Sequence, residues 1–250
     1  MKDVKAKKYL GQHFLNDMRI AFNITKLLNE DIKNVIEIGP GMGALTQFLI
    51  NNNYKTQVIE IDTESVSYLR LNYPKLDIHA KDFLKLDLKK EFSFNFSLIG
   101  NFPYNISSQI LFKVFENRDQ IPEIVGMFQK EVAERIVCKK GKQKGILSVL
   151  LQTFYNIEYC FTVNEEVFKP KPKVKSGVIK LLRNKRKKLC VDEDLFKRII
   201  KSAFQKRRKT LRNALKAFPL INEKEIADLL NLRAEQLSVD DFIELTKHVK

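Results

Sequence analysis

The sequence predicts an α/β protein, a doubly wound and largely parallel sheet followed by a small all-helical C-terminal domain. Three observations carry that prediction. Short apolar runs alternate with stretches of helical periodicity as far as Phe128. A glycine-rich loop, Gly39-Pro40-Gly41-Met42-Gly43, follows the first of those runs directly. From Asp192 onward only helical patterns remain, beyond the charged linker Arg183-Asn184-Lys185-Arg186-Lys187-Lys188.

In chain order, Asn34-Val35-Ile36-Glu37-Ile38 is the first strand, and Leu45, Phe48 and Leu49 give the loop a helix at i, i+3, i+4 spacing. Residues 56–62 form a second strand, and Val66 and Leu69 mark the helix after it. Residues 76–80, 96–99 and 123–128 read as the third, fourth and fifth strands. The runs 157–168 and 174–182, joined by Lys169-Pro170-Lys171-Pro172-Lys173, read as an antiparallel pair that finishes the sheet. Leu195, Ile199, Ala203 and Phe204 then share one helix face, and Leu211, Ala214, Leu215 and Phe218 another. Asn222-x-x-Glu225 and Ser238-x-x-Asp241 have the form of capping boxes and predict two further helix starts. The expected division is a domain over 1–185 and a basic helical domain over 186–250.

Composition narrows the function. A chain of 250 residues with 44% hydrophobic and 30% charged residues can bury a full core. No apolar stretch approaches the roughly 18 residues of a membrane span. The basic N-terminal run lacks an apolar segment of secretory type, so the expected location is the cytoplasm, with no membrane partner. Cys138, Cys160 and Cys190 lie 22 and 30 residues apart and the three histidines are scattered, which argues against disulfides and predicts no metal centre. The net charge is +15, and it is localised. Residues 183–216 carry 14 Lys/Arg against 3 Asp/Glu, whereas residues 217–250 carry 4 against 7. An excess of that kind points to a polyanion, and without a membrane signature to nucleic acid.

The glycine loop brings backbone amides close to a ligand, and Glu60, 17 residues after Gly43, is placed to accept both hydroxyls of a ribose. Gly39 to Ala44 also satisfies the nicotinamide fingerprint, so loop and carboxylate fit NAD as well as S-adenosylmethionine. Asp82 can accept from an adenine amino group. The fourth strand opens into Asn101-Phe102-Pro103-Tyr104 at its carboxyl end, where open α/β sheets place ligands. The Asn101 amide oxygen and the Phe102 carbonyl can accept the two hydrogens of an exocyclic amine, with Pro103 holding the turn and Tyr104 stacking on the base. An adenine N6 gripped that way turns its lone pair toward an activated methyl, so the tetrapeptide favours an amino-methyltransferase over a dehydrogenase.

Five motifs occur here in one order: Lys8-Tyr9-Leu10-Gly11-Gln12-His13-Phe14-Leu15-Asn16-Asp17, the Gly39 loop, Gly100 to Asn105, Phe128-Gln129-Lys130-Glu131, and Phe168 to Val174. Together they resemble the KsgA/RsmA-type small-subunit (16S) ribosomal RNA adenine dimethyltransferases, from Lys7 to the C-terminus. The resemblance implies a Rossmann-like class I methyltransferase sheet with a small helical domain. It also implies dimethylation of two adjacent adenosines in a hairpin loop near the 3′ end of small-subunit rRNA, S-adenosyl-L-methionine as donor, and an immature 30S-type subunit as partner of a monomeric enzyme. Under it, His13, Leu15, Gly39, Gly41, Glu60, Asp82 and Asn101 contact the donor, and Tyr104 and Phe168 sandwich the flipped adenine. His13 stands where many members have Asn.

The rivals are an Erm-type large-subunit rRNA methyltransferase, a non-catalytic rRNA-binding assembly factor and an NAD-dependent oxidoreductase. The basic stretch with Lys206, Arg207, Arg208, Lys209 and Arg212, expected to be a helix that binds RNA, resembles the small-subunit enzymes. Gly39, Glu60 and Asn101 are intact, which disfavours the non-catalytic factor.

Overall fold

The computed structural model describes residues 4–250; Met1, Lys2 and Asp3, the start of the basic N-terminal run, lie outside the described residues. Nine strands are present among them: β1 Phe14–Leu15, β2 Asn34–Ile38, β3 Lys55–Ile59, β4 Asp77–His79, β5 Ser97–Asn101, β6 Glu123–Gln129, β7 Tyr155–Val163, β8 Phe168–Lys169 and β9 Ser176–Arg183. Seven form one sheet in the order β4-β3-β2-β5-β6-β9-β7. Neighbours from β4 to β6 run parallel, and β9 is antiparallel to β6. The parallel strands β2, β5 and β6 are covered on both faces, which is why they read as continuous apolar runs rather than alternating ones. The strand order reverses between β2 and β5, the switch point at which a doubly wound sheet opens a crevice at its carboxyl ends.

Two further features shape that crevice. The Phe102 ring, buried at the end of β5, lies over two glycines: a Cβ at Gly100 would stand 2.8 Å from Phe102 Cε1, and one at Gly126 closer still. Bare backbone on β5 and β6 therefore seats this ring, and the ring fixes the backbone of the tetrapeptide. The second feature is a two-stranded sheet outside the main one. Here β1 pairs antiparallel with β8, Leu15 opposite Phe168, and joins the N-terminal motif to the Phe168 motif. At the opposite end of the main sheet, buried Glu123 accepts from the Asn29 N–H (3.0 Å), the Ser97 hydroxyl (2.7 Å) and the Lys180 ammonium (3.0 Å). That carboxylate is fully partnered and structural.

The chain forms two compact units. One comprises the chain up to Ala133 with Asn156–Arg183, the other Glu134–Tyr155 with Asn184–Lys250. The single cut expected at 185/186 thus falls beside one crossover and misses the excursion Glu134–Tyr155. The reason lies in the helix Ile146–Phe154, whose Ser148, Val149, Leu150, Leu151, Thr153 and Phe154 are all buried. A helix covered that fully needs neighbours on several sides, and it packs against the helices Glu193–Gln205 and Val239–Lys247 of the second unit.

Two expectations for the second unit change. The basic stretch is not a continuous helix: the helix stops at Gln205, Lys206 to Lys209 form a turn in which Lys209 N–H donates to the Lys206 carbonyl (2.8 Å), and a short helix resumes at Leu211–Ala214. Four consecutive cations offer no apolar position to bury, so the amphipathic pattern that holds the helix down ends at Phe204 and restarts at Leu211. Asn222 does not start a helix either. It adopts φ 51° and its carbonyl accepts from Glu225 N–H in a turn, and the helix begins at Ala227. Ser238 does form the capping box, exchanging bonds with Asp241 at 3.1 and 2.7 Å.

Candidate active site

A cavity of about 280 Å³ opens at the carboxyl ends of β2 to β5 in the first unit. Gly39, Gly41, Glu60, Asp82, Asn101, Phe102, Pro103, Tyr104, His13 and Leu15 all line it, so most of the predicted site residues converge, although they are spread over 92 positions. The loop after β2 supplies one wall. Gly39 and Gly41 adopt φ 63° and 56°, which side chains resist, and a Cβ on Gly41 would also stand 2.8 Å from Phe14 Cε1. The helix after the loop begins only at Thr46, so the wall consists of turn backbone rather than a helix start.

Glu60 follows β3, is 4% exposed, and accepts from Gly41 N–H through Oε2 (3.1 Å) and from Asp62 N–H through Oε1 (2.8 Å). Burial pushes its carboxyl up, and those amide bonds pull partly against it. The amides orient both oxygens and leave each further acceptor capacity for a hydroxyl. Asp82 commits Oδ1 to Leu84 N–H (2.9 Å), which leaves Oδ2 for a ligand. Ile61, Phe83 and Leu84 add apolar lining between the two carboxylates, as a flat heterocycle needs.

The β5 end carries the clearest geometry. Asn101 Nδ2 donates to the His13 carbonyl at 2.8 Å. A carbonyl only accepts, so the side-chain atom facing it is the nitrogen, and the amide oxygen is the atom left to the cavity. Tyr104 is held at two points, by its hydroxyl against Ser176 Oγ (2.6 Å) and by the His13 ring stacked at 5.4 Å and 29°. Burial raises the Tyr104 phenol above its ordinary value, which keeps it neutral and suits stacking rather than proton removal. The His13 ring itself donates from Nδ1 to the Pro170 carbonyl at 2.7 Å, so this side chain faces Tyr104 and Pro170 while its carbonyl serves Asn101. Phe168 is placed elsewhere: its ring is buried beside Leu15 in the cluster with Ile24 and Met127 and does not line the cavity. Lys206, Arg207, Arg208, Lys209 and Arg212 lie in the second unit, all exposed. Arg207 donates to the Lys142 carbonyl (2.6 Å) and Arg212 to Glu223 (2.9 Å).

Sequence reasoning missed two contributors. One is the rest of the wall around the expected His13 and Leu15: Leu10, Gly11, Gln12 and Phe14 complete it, and Lys7, which bonds Asp62, ties it down, with Gln12 Nε2 also on Asp62 at 3.3 Å. Partners 55 residues apart leave no trace in local pattern. Glu37 lines the cavity at 2% exposure and takes the Thr46 hydroxyl at 2.6 Å. A lone carboxylate inside the apolar run of β2 was the available signal.

Burial pushes the Glu37 carboxyl up to about 8. The folded protein therefore keeps a proton there that an unfolded chain, titrating near 4.5, has released. That contribution to stability is fully present below 4.5 and is lost as pH rises through 8. Glu37→Gln is thus expected to gain little over the parent at pH 5.5 and roughly 2–3 kcal/mol more at pH 8.5. Urea denaturation of the donor-free protein at both pH values measures this, and a gain independent of pH would assign the burial cost elsewhere.

Among the described residues no group of three or more His, Cys, Asp or Glu could hold a metal ion, and no helix is long and apolar enough to cross a membrane.

The family model for ribosomal RNA adenine dimethylase matches residues 3–250. A protein of Cytophaga hutchinsonii named ribosomal RNA small subunit methyltransferase A is 57% identical over 252 residues, covering 98% of each chain. Among solved structures, a dimethyladenosine transferase from Plasmodium falciparum superposes with TM-score 0.80 at 26% identity, covering 93% of this chain and 96% of that one. The 23S rRNA methyltransferase ErmE superposes with TM-score 0.72 over 94% and 100%, at 22% identity, a likeness of fold.

Proposed function

The chain belongs to the ribosomal RNA adenine dimethylase family, and from that premise we propose that it dimethylates N6 of two adjacent adenosines in a hairpin loop near the 3′ end of small-subunit rRNA. The methyl donor is S-adenosylmethionine, and the substrate is an immature small subunit met by a monomeric enzyme. The small-subunit reading is favoured over the large-subunit one because the 57% identical relative carries that name, whereas the likeness to ErmE extends to fold.

The observation that carries the reading is the orientation of Asn101. With Nδ2 committed to the His13 carbonyl, Oδ1 is held as an acceptor, the requirement for gripping an N–H of a target amine. The Phe102 carbonyl, on backbone fixed by the buried ring, takes the second N–H. When bound, the donor supplies an electrophilic methyl on a positively charged sulfur. Glu60 accepts the ribose hydroxyls and Asp82 the adenine amine, while Leu15, His13 and the Gly39–Gly41 backbone close around the remainder. The target adenine, flipped from its stack, rests on Tyr104. In the first transfer, drawing both N–H bonds toward Asn101 and Phe102 turns the N6 lone pair toward the methyl; in the second, only one N–H remains to be drawn. Alignment would then supply the acceleration, and the proton displaced from N6 would pass to solvent, because the neutral Tyr104 phenol is not a base. Phe168 completes the base sandwich only if it leaves its buried position beside Leu15.

Transfer of labelled methyl from S-adenosylmethionine to small subunits from cells lacking this protein, with mass mapping of the modified adenosines, tests the reading. Methylation confined to large-subunit rRNA would overturn it.

The exposed cations of the second unit serve as phosphate contacts. Lys206, Arg208 and Lys209 carry no ion pair among the described residues and have charge to offer a polyanion. Replacing these three by Gln is expected to lower the slope of log affinity for rRNA against log salt by roughly 2–3, with donor affinity unaffected. An unchanged slope in a filter-binding titration would leave them as solvated side chains.

A further inference from the structure

We infer that Tyr9 is a stacking platform for the unpaired nucleotide next to the target adenosine, an inference that rests on the rRNA-methylating reading above. At 75% exposure, Tyr9 is the most exposed of the large apolar side chains among the described residues, yet it lines the mouth of the cavity. An aromatic ring facing solvent is ordinary by itself. The backbone beneath this one is not. The Tyr9 carbonyl accepts from Asn105 Nδ2 at 3.2 Å, the residue directly after the Asn101–Tyr104 tetrapeptide. On one side Lys7 is bound to Asp62 and stands 3.4 Å from Glu64; on the other Gly11, at φ 66°, closes the single turn Lys8–Leu10. The ring is therefore presented to solvent at a fixed place on the rim and makes no ring contact among the described residues. Lys5 and Lys8 beside it are exposed and carry no ion pair among those residues.

An exposed ring on a pinned backbone, with cations nearby in the chain that carry no ion pair among the described residues, is what a single-stranded nucleotide needs, a π face for its base and charge for its phosphates. The reaction creates that need. A target adenine that leaves its stack to enter the cavity strips its neighbour of a stacking partner at the cavity mouth. Tyr9 replaces that partner and so stabilises the flipped arrangement without touching the reacting atoms.

The test compares Tyr9→Ala and Tyr9→Phe in methyl transfer to unmethylated small subunits, with donor affinity measured by calorimetry in the absence of RNA. Tyr9→Ala is expected to raise KM for the subunit roughly ten-fold and leave donor affinity unchanged, and Tyr9→Phe, which keeps the ring, to recover most of that loss. An unchanged KM in Tyr9→Ala, with an active parent enzyme, overturns this inference alone. So does a parallel loss of donor affinity, which would make the ring part of the donor pocket, or a Tyr9→Phe variant as poor as Tyr9→Ala. A parent enzyme that transfers no methyl to small subunits overturns the functional reading, and this inference falls with it.

Discussion

Asn101→Ala is expected to lower the turnover of saturated enzyme by roughly 100- to 1,000-fold while rRNA affinity stays within a few-fold of the parent, the scale on which removing one preorganised polar group from a reacting centre acts. The separation follows from where Asn101 sits. Its backbone ends β5, in register with Met127 of β6, so the strand persists without the side chain. The amide makes one internal bond, to the His13 carbonyl, and its oxygen faces the cavity. Alanine therefore removes the acceptor proposed to align the amine and leaves the proposed phosphate contacts alone. Asn101→Asp probes the orientation directly. It keeps an acceptor for the amine, but sets a carboxylate oxygen against the His13 carbonyl, and two acceptors repel. If alignment through that bond matters, the Asp variant is slow as well. Single-turnover methyl transfer with both variants decides the point, and an Asn101→Ala enzyme as fast as the parent would move the chemistry to another residue.

The His13–Asn101 bond also shows where sequence reasoning stops. The strands were legible because parallel strands buried on both faces leave continuous apolar runs, as in Val35 to Ile38 and Ile124 to Phe128. The convergence of Gly39, Glu60, Asp82 and Asn101 on one cavity was legible because each lies at or just after a strand's carboxyl end, and topology brings those ends together. What local pattern cannot hold is pairing across the chain. The Lys7 anchor on Asp62, the turn of the His13 ring toward Pro170, and the burial of Phe168 opposite Leu15 all depend on partners at least 55 positions away. Helix limits failed for a different reason. The cationic run at Lys206 and the left-handed Asn222 both carry residues at home in a helix or at its cap, and in each case the missing element was an apolar face to hold the segment down. The excursion Glu134–Tyr155 escaped for the converse reason: a helix apolar on several sides advertises burial without saying against which neighbours.

The second large effect is expected at Glu60, where Glu60→Gln should weaken S-adenosylmethionine binding by at least roughly 100-fold, the equivalent of losing about two hydrogen bonds to a charged acceptor. Both carboxylate oxygens already serve backbone amides, Gly41 through Oε2 and Asp62 through Oε1, and in the proposed binding mode the ribose hydroxyls use their remaining capacity. A glutamine has one oxygen. Its NH₂ must face either the Gly41 or the Asp62 N–H, so the substitution loses an acceptor for the ligand and also sets two donors against each other. The variant is consequently expected to be less stable by about 1–3 kcal/mol, the usual effect of one unsatisfied buried donor. The pH dependence separates this account from simple disruption. Burial holds the Glu60 carboxyl above its ordinary value, so acidification protonates it earlier than an exposed glutamate, and protonation removes acceptor capacity. Donor affinity of the parent should therefore fall as the pH is lowered from 7, and at a higher pH than an exposed glutamate would cause. Glu37 cannot produce that trend, because with its carboxyl pushed up to about 8 it stays largely neutral below pH 7. Calorimetry over that range is expected to show the fall in the parent and a flat line in Glu60→Gln; a variant that binds within three-fold of the parent, or that keeps the acid limb, would take the ribose contact away from Glu60.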